Sequence, residues 1–353
     1  MVTKAARIKK QPETDGGYNS RFLGSNYLIA LPKLSAKQRK DLLKFQKGKY
    51  RINYIHYSAV MCKSRKLAYF TSVNIDGTCW QDNSRKGTWN EDPRITMDDQ
   101  LGDRLYNAEN SKFDRGHLVR REDPEWGEKE LSIKAGVHTF WFPNCAPQHE
   151  KLNQEIWADL EANILHTGAD SQDLRVSVFT GPVLSDTDGT FVTQINGSDI
   201  KIPSLFWKVV VWKKNDKKVY AVGFIQSQEA FLIEDAIIKK PFLVNTKVLC
   251  LLKDDDIFEH LVFKDGKTYQ VRLEEIEKLS GLKFDWPNVI RPFKNPQAVA
   301  IDGVRRKLPD PEIAPKVESK TTKSKRNGSG LKTKGAVCIP RWNPKFELEG
   351  LVI

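Results

Sequence analysis

A chain of 353 residues with 39% apolar residues is long enough to bury a substantial core and, on length alone, to make two domains. Its net charge of +12 and pI near 9.3 favour a polyanion as partner, and no run approaches the roughly 20 apolar residues of a membrane span, which excludes a helical membrane protein. Five cysteines, odd in number and never spaced C-x-x-C, exclude a disulfide framework and fit reduced thiols.

The first sixteen residues, with Lys4, Arg7, Lys9 and Lys10, are polar and lack the apolar segment of a secretory signal. A mobile basic N-terminus (1–16) and a cytoplasmic location are therefore expected. Phe113 to His117 reads as a short strand in which Gly116 lets the backbone pass close to a neighbour. Alternation along that strand puts Arg115 and His117 on one face and turns Asp114 the other way, where it would brace the site. Asn144 lies in the connection that follows. From Glu150 to His166 there is no Pro or Gly, and Leu152, Ile156, Leu160, Ile164 and Leu165 recur with helical spacing. Counting by fours along this predicted amphipathic helix, Asn153, Trp157 and Glu161 lie on one side. An amide oxygen and a carboxylate then project the same way from successive turns and can reach a metal. Strand, connection and helix in that order make a ββα-metal arrangement.

The remaining aromatics and histidines take plainer readings. Trp141, Trp207 and Trp212 lie in β-branched, apolar runs and read as core, and Trp126 and Trp157 as packing residues rather than base-stacking platforms. His56, His138, His149, His166 and His260 show neither H-x-x-x-H nor H-E-x-x-H spacing and no partnering cysteines, so no zinc site is expected. His149 enters the predicted helix, and a surface or capping place is favoured there over substrate contact. Residues 293–334 read as a basic flexible linker. From Arg305 to Lys334 ten Lys/Arg face three Asp/Glu, so this stretch holds +7 of the charge and the rest of the chain +5. Such a tail serves as a solvated spacer or as an electrostatic arm for nucleic acid. Residues 335–353 turn apolar again, which suggests docking on the domain or on a partner.

Three ordered motifs, Asp114 to His117 (DRGH), Asn144 to Gln148 (N-x-x-P-Q) and Leu152 to Glu161 (L-N-x-x-x-W-x-x-L-E), resemble those of the DNA/RNA non-specific endonuclease family, which includes endonuclease G-like nucleases. The resemblance extends at pattern level over roughly residues 17–290 and implies one domain (17–292). The fold it implies is α+β, a ββα-metal nuclease with a mixed or antiparallel central sheet and flanking helices. Implied too are DNA and RNA as substrates, hydrolysed without regard to sugar and leaving 5′-phosphorylated ends. Hydrolysing a phosphodiester needs a base, positive charge at the phosphoryl oxygens and help for the leaving oxygen. His117 is the candidate base, since an unperturbed imidazole titrates at about 6.5. By family match Asn153 is the direct ligand of one Mg²⁺, with Mn²⁺ as substitute, and Glu161 holds its waters. Arg115 would clamp the phosphate, and Asn144 would bond loop backbone or help set the site. The family also carries an upstream arginine; here the aligned spot falls near Gly87, and Lys86, Arg85 and Arg94 are the substitutes the run RKGTWNEDPRI offers.

A non-specific nuclease endangers its own cytosol, so an inhibitor, an activating partner, a conformational gate or export by a route needing no signal peptide is expected, as for a conditionally activated defence effector. The resemblance further implies a homodimer. Two other classes compete: a nucleic-acid-binding module that has lost turnover, and a phosphodiesterase acting on a small nucleotide.

Overall fold

The longest strands are buried at nearly every position, as strands covered on both faces must be. In the computed structural model, which describes residues 14–156, 160–161, 164–165, 174–214, 217–239, 268–294, 299–303 and 348–349, they form one large sheet. Its strands are β1 (Arg51–Asn53), β2 (Tyr57–Cys62), β3 (Leu67–Asp76), β6 (Arg175–Pro182), β7 (Leu205–Lys213), β8 (Val219–Ser227), β9 (Thr268–Val271), β10 (Val299–Gly303) and β11 (Leu348–Glu349). From one edge to the other the order is β11-β10-β9-β8-β7-β6-β3-β2-β1. All of these neighbours are antiparallel, and the short strand Val289–Ile290 adds a parallel pairing to β8, so the sheet is mixed. The remaining labelled strands, β4 (Phe113–His117) and β5 (Cys145–His149), form a separate two-stranded ribbon.

Alternation along β7 sorts two cores. Phe206, Val210 and Trp212 join Val73, Ile75, Val176 and Val178 under Leu118, Val119, Ala146, Leu152 and Leu160, which come from the ribbon and the helical segment after it. Trp207, Val209 and Val211 face the opposite side, beneath Tyr18, Leu23 and Ile29 and beneath Ile276 of the helix Leu273–Ser280. The ribbon therefore sits on one face of the sheet, with its outer side packed on a third cluster containing Leu105, Tyr106, Phe113, Phe142 and Phe191. Among the described residues no helix is long and apolar enough to cross a membrane.

The predicted helix 150–166 is wound differently from the α-helix expected. Leu152–Ile156 is π-helical, and Leu160 and Glu161 are helical again. A π turn closes i→i+5 bonds, so counting by fours does not carry over it, and such turns are frequent at functional sites. Trp157, His166 and His260, the N-terminal residues 1–13 and most of the basic linker lie outside the described residues. Val299–Gly303, inside the predicted linker, pairs with β9, and Leu348–Glu349 pairs with Asp302 and Gly303.

Candidate active site

The ribbon pairs Asp114 with Gln148, Gly116 with Ala146 and His117 with Cys145. A Cβ on Gly116 would overlap the Gln148 side-chain amide, so this position admits only glycine. Gln148 itself is fully buried, and neither of its amide atoms has a hydrogen-bond partner.

His117 lies in an aromatic notch. Its ring is 4.5 Å from that of Trp89 and meets Phe140 edge-on at 4.8 Å. Its Nε2 is buried without a hydrogen-bond partner. Burial pushes the imidazole pKa down, and the charges of Arg85, Arg121 and Arg120 push it further, to about 3. His117 is thus neutral across the physiological range and ringed by guanidinium groups, a setting suited to receiving an anion.

The opposite face of β4 handles an amide. Asp114 Oδ2 accepts hydrogen bonds from Asn153 Nδ2 at 2.9 Å and from Gln154 Nε2 at 2.8 Å. A carboxylate acceptor fixes which end of the Asn153 amide faces it, so Oδ1 is turned away from Asp114 and could serve as a ligand oxygen. Two consecutive side chains reach one carboxylate oxygen from the π-helical turn. A single neutral oxygen suits Mg²⁺, which keeps several waters. No group of three His, Cys, Asp or Glu converges among the described residues to form a charged cage.

Arg115 shares the His117 face by alternation, but its guanidinium is held by the helix α1 (Gly102–Tyr106) and the residue that caps it. Nε donates to Asp103 at 2.9 Å and NH2 to Asn107 at 3.0 Å, with the group 5.2 Å over the Tyr106 ring. Among the described residues these contacts use Nε and NH2, not NH1. Asn144 is buried and saturated: Oδ1 accepts from Val119 N at 2.8 Å, while Nδ2 donates to Val119 O at 2.9 Å and Thr139 O at 3.0 Å. It pins the backbone just past His117 and has no group to spare for substrate.

Glu161 accepts from Lys208 Nζ at 3.1 Å, both side chains being buried. Asp123 lies in the same cluster; burial raises its pKa to about 7, with the Glu161 charge adding to the rise and Lys208 opposing it. The carboxylate expected to hold metal waters is therefore anchored through Oε1 to a lysine of the central sheet.

Among the three upstream candidates the structure separates two clearly. Arg94 is locked to buried Asp92, with NH2 2.6 Å from Oδ2, and donates to Asn53 O, which is a packing role. Arg85 lies 5.8 Å over the Phe140 ring, and its charge acts on His117. Gly87 has φ +124°, and a Cβ there would overlap Phe140, so the arginine cannot stand at that position. Sequence reasoning missed Arg120, Arg121, Asp123 and Lys208. The first two sit directly behind the DRGH motif, and Lys208 interrupts the apolar run LFWKVVVW, a signal in itself because buried lysines are almost always paired.

Set beside known proteins, residues 36–289 match the model of the DNA/RNA non-specific endonuclease family. The chain belongs to that family. Over 242 residues it is 34% identical to an uncharacterized protein of Sinorhizobium fredii, y4fB, covering 66% of this chain and 33% of that one. Mitochondrial endonuclease G of Homo sapiens is 28% identical over 140 residues, covering 38% of this chain and 44% of the relative. These alignments thus span less than half the length of either relative. A chain from the crystal structure of the EndoG/EndoGI complex aligns with a TM-score of 0.43 at 17% identity, covering 69% of this chain and 90% of that one.

Proposed function

We propose that this family member is a divalent-metal-dependent endonuclease that hydrolyses the phosphodiester bonds of both DNA and RNA, with His117 as general base and Asn153 as the direct metal ligand. The observation that carries the reading is the division of the ribbon: a neutral imidazole among Arg85, Arg120 and Arg121 on one face, and an amide oxygen freed by Asp114 on the other.

His117 takes a proton from the attacking water. Its low pKa arises from burial and three positive charges, and a phosphodiester anion seated among those charges offsets them, raising the imidazole toward the range where a base is effective. Arg85 takes the part of the upstream arginine and stabilises the phosphoryl oxygens. Arg115, steadied by Asp103 and Asn107, presents its NH1 edge to a second oxygen. Asn144 is a positioning residue that sets the turn after His117. Bound at Asn153, with waters steadied by Glu161 Oε2, Mg²⁺ would supply positive charge at the phosphoryl and leaving oxygens. No group here requires a 2′-hydroxyl, and contacts to phosphate carry little sequence information, so tolerance of either sugar follows.

The test is cleavage of supercoiled plasmid and of a structured RNA with Mg²⁺, with EDTA, and with His117→Ala. We expect both substrates to be cut to 5′-phosphorylated ends and both controls to stop cutting while binding persists. Products ending in 2′,3′-cyclic phosphate would make the ribose hydroxyl the nucleophile and overturn the water mechanism. A restrained form of the same activity is favoured by one feature, the buried and unpartnered Nε2 of His117. Binding without cutting in Mg²⁺ and Mn²⁺ would support restraint by a partner, or a binding module without turnover.

A further inference from the structure

At the end of the sheet formed by the start of β6 and the end of β7, a groove of about 490 Å³ is lined by Leu23, Thr78, Arg175, Lys213, Lys214 and Lys217. The turn from Lys213 to Lys218 carries four lysines against one acid, Asp216. Among the described residues Lys213, Lys214 and Lys217 have no carboxylate partner, although surface lysines on this chain, such as Lys33 and Lys37, do pair with acids.

The cations are held over aromatic rings. Lys214 Nζ lies 4.5 Å from the centre of the Tyr220 ring and Lys213 Nζ 5.8 Å from that of Tyr27, while the Arg175 guanidinium, 5.5 Å from the centre of the Phe22 ring, is also paired through Nε with buried Asp76 at 2.8 Å. Tyr27 also donates its hydroxyl to Lys217 O at 2.7 Å, tying the turn to the segment beneath it. Stacking of this kind limits the motion of long side chains and keeps their charges outward, so less entropy is lost when a polyanion is bound. The groove lies toward the face of the sheet that carries Leu23, Trp207 and Val211, opposite the ribbon, and is linked to the candidate active site only through packed rings. The loop that carries Arg120 and Arg121 runs on to Trp126, whose ring is 5.5 Å from Phe22, the ring beneath Arg175.

We propose that this groove is an accessory site for the sugar-phosphate backbone of a polynucleotide, holding a stretch of the strand outside the bond being cut. A row of cations without base-reading side chains fits the repeating phosphate charge of nucleic acid and gives affinity without sequence preference. The inference rests on the nuclease reading for its substrate, but concerns residues that take no part in the chemistry.

The test uses the full chain with Lys213→Gln, Lys214→Gln and Lys217→Gln combined, compared with wild type in two assays. Binding of a 40-base-pair duplex is followed by anisotropy in EDTA across salt concentrations, and cleavage of a single-stranded tetranucleotide is followed in Mg²⁺. If the groove holds the backbone, duplex affinity falls tenfold or more. The dependence of log affinity on log salt flattens by about two to three, as expected for three lost phosphate contacts. Tetranucleotide turnover and thermal midpoint stay at wild-type values, since these lysines are at the surface. Unchanged duplex affinity and salt slope would overturn the proposal, as would an equal loss on the tetranucleotide. A wild-type protein that leaves the tetranucleotide uncut would count against an unrestrained nuclease, while the EDTA binding assay would still decide the groove.

Discussion

The two faces of the β4–β5 ribbon differ in almost every physical respect although they are separated by the thickness of one strand. The His117 face is aromatic and cationic: Trp89 and Phe140 close on the imidazole, and burial, aided by nearby guanidinium charges, holds it neutral. The Asp114 face is a carboxylate-to-amide contact opening on the π-helical turn. A strand can serve both because its period of two sends neighbouring residues into separate environments. The proposed proton transfer and metal binding should therefore respond to different substitutions.

The largest effect that would sharpen this contrast is expected from Arg85→Ala, set against Arg94→Ala. Losing a cation beside the phosphoryl group should lower kcat by roughly 10²-fold, by analogy with removing one donor to a developing oxyanion, with little change in the thermal midpoint. Arg94→Ala should instead lower the midpoint, because it leaves Asp92 buried without its partner. If Arg94→Ala lost kcat at an unchanged midpoint while Arg85→Ala was silent, the assignment of the upstream arginine would be reversed.

On the other face, Asp114→Ala should raise the Mg²⁺ concentration for half-maximal activity by about 10- to 100-fold, the usual cost of losing a group that orients a metal ligand. Saturating metal should restore most of the rate. A variant that lost kcat at all metal concentrations would break the proposed separation of the two faces.

The pH dependence should divide in the same way. In the free protein His117 is held down to about 3, so the acid limb of kcat/KM should fall near that value instead of near 6.5. Stability should follow both groups, with opposite signs. Between about 3 and 6.5 the unfolded chain binds a proton that folded His117 does not, so this contribution is complete above 6.5 and is lost as pH falls. Asp123 is raised to about 7, so between the ordinary carboxylate range and 7 the folded state holds the extra proton, and its contribution is lost as pH rises. Denaturant melts of wild type and Asp123→Asn at several pH values should show the variant gaining relative stability as pH rises toward 7. A constant difference would refute the assignment.

The smallest effect concerns the junction between β5 and the π-helical turn. Buried His149 accepts from Lys151 N at Nδ1 (3.2 Å) and meets Asp235 at Nε2 (3.1 Å), the capping place that sequence favoured over substrate contact. His149→Asn can keep the first contact through its side-chain oxygen, whereas His149→Leu keeps neither. The leucine variant should lose about 1–3 kcal/mol of stability, the usual cost of stranding buried polar groups, and the asparagine variant less. Equal losses in a denaturant melt would show that the Lys151 contact contributes nothing.

Much of this was legible in the chain because it is local. The order of the DRGH, N-x-x-P-Q and L-N-x-x-x-W-x-x-L-E segments, the close approach at Gly116 and the apolar runs of the central strands all follow from neighbours a few residues apart, where backbone period and side-chain chemistry decide. Tertiary structure alone decided which upstream arginine lies near His117, since Arg85 and Arg94 are equally basic and differ only in whether Phe140 or Asp92 receives them. It also decided that Glu161 meets Lys208, 47 positions on, that the turn carrying Asn153 is π-helical, and that Arg175 and the lysines of a distant hairpin line one groove. These pairings are made by sheet register and packing, which bring together residues whose separation along the chain leaves no periodic trace.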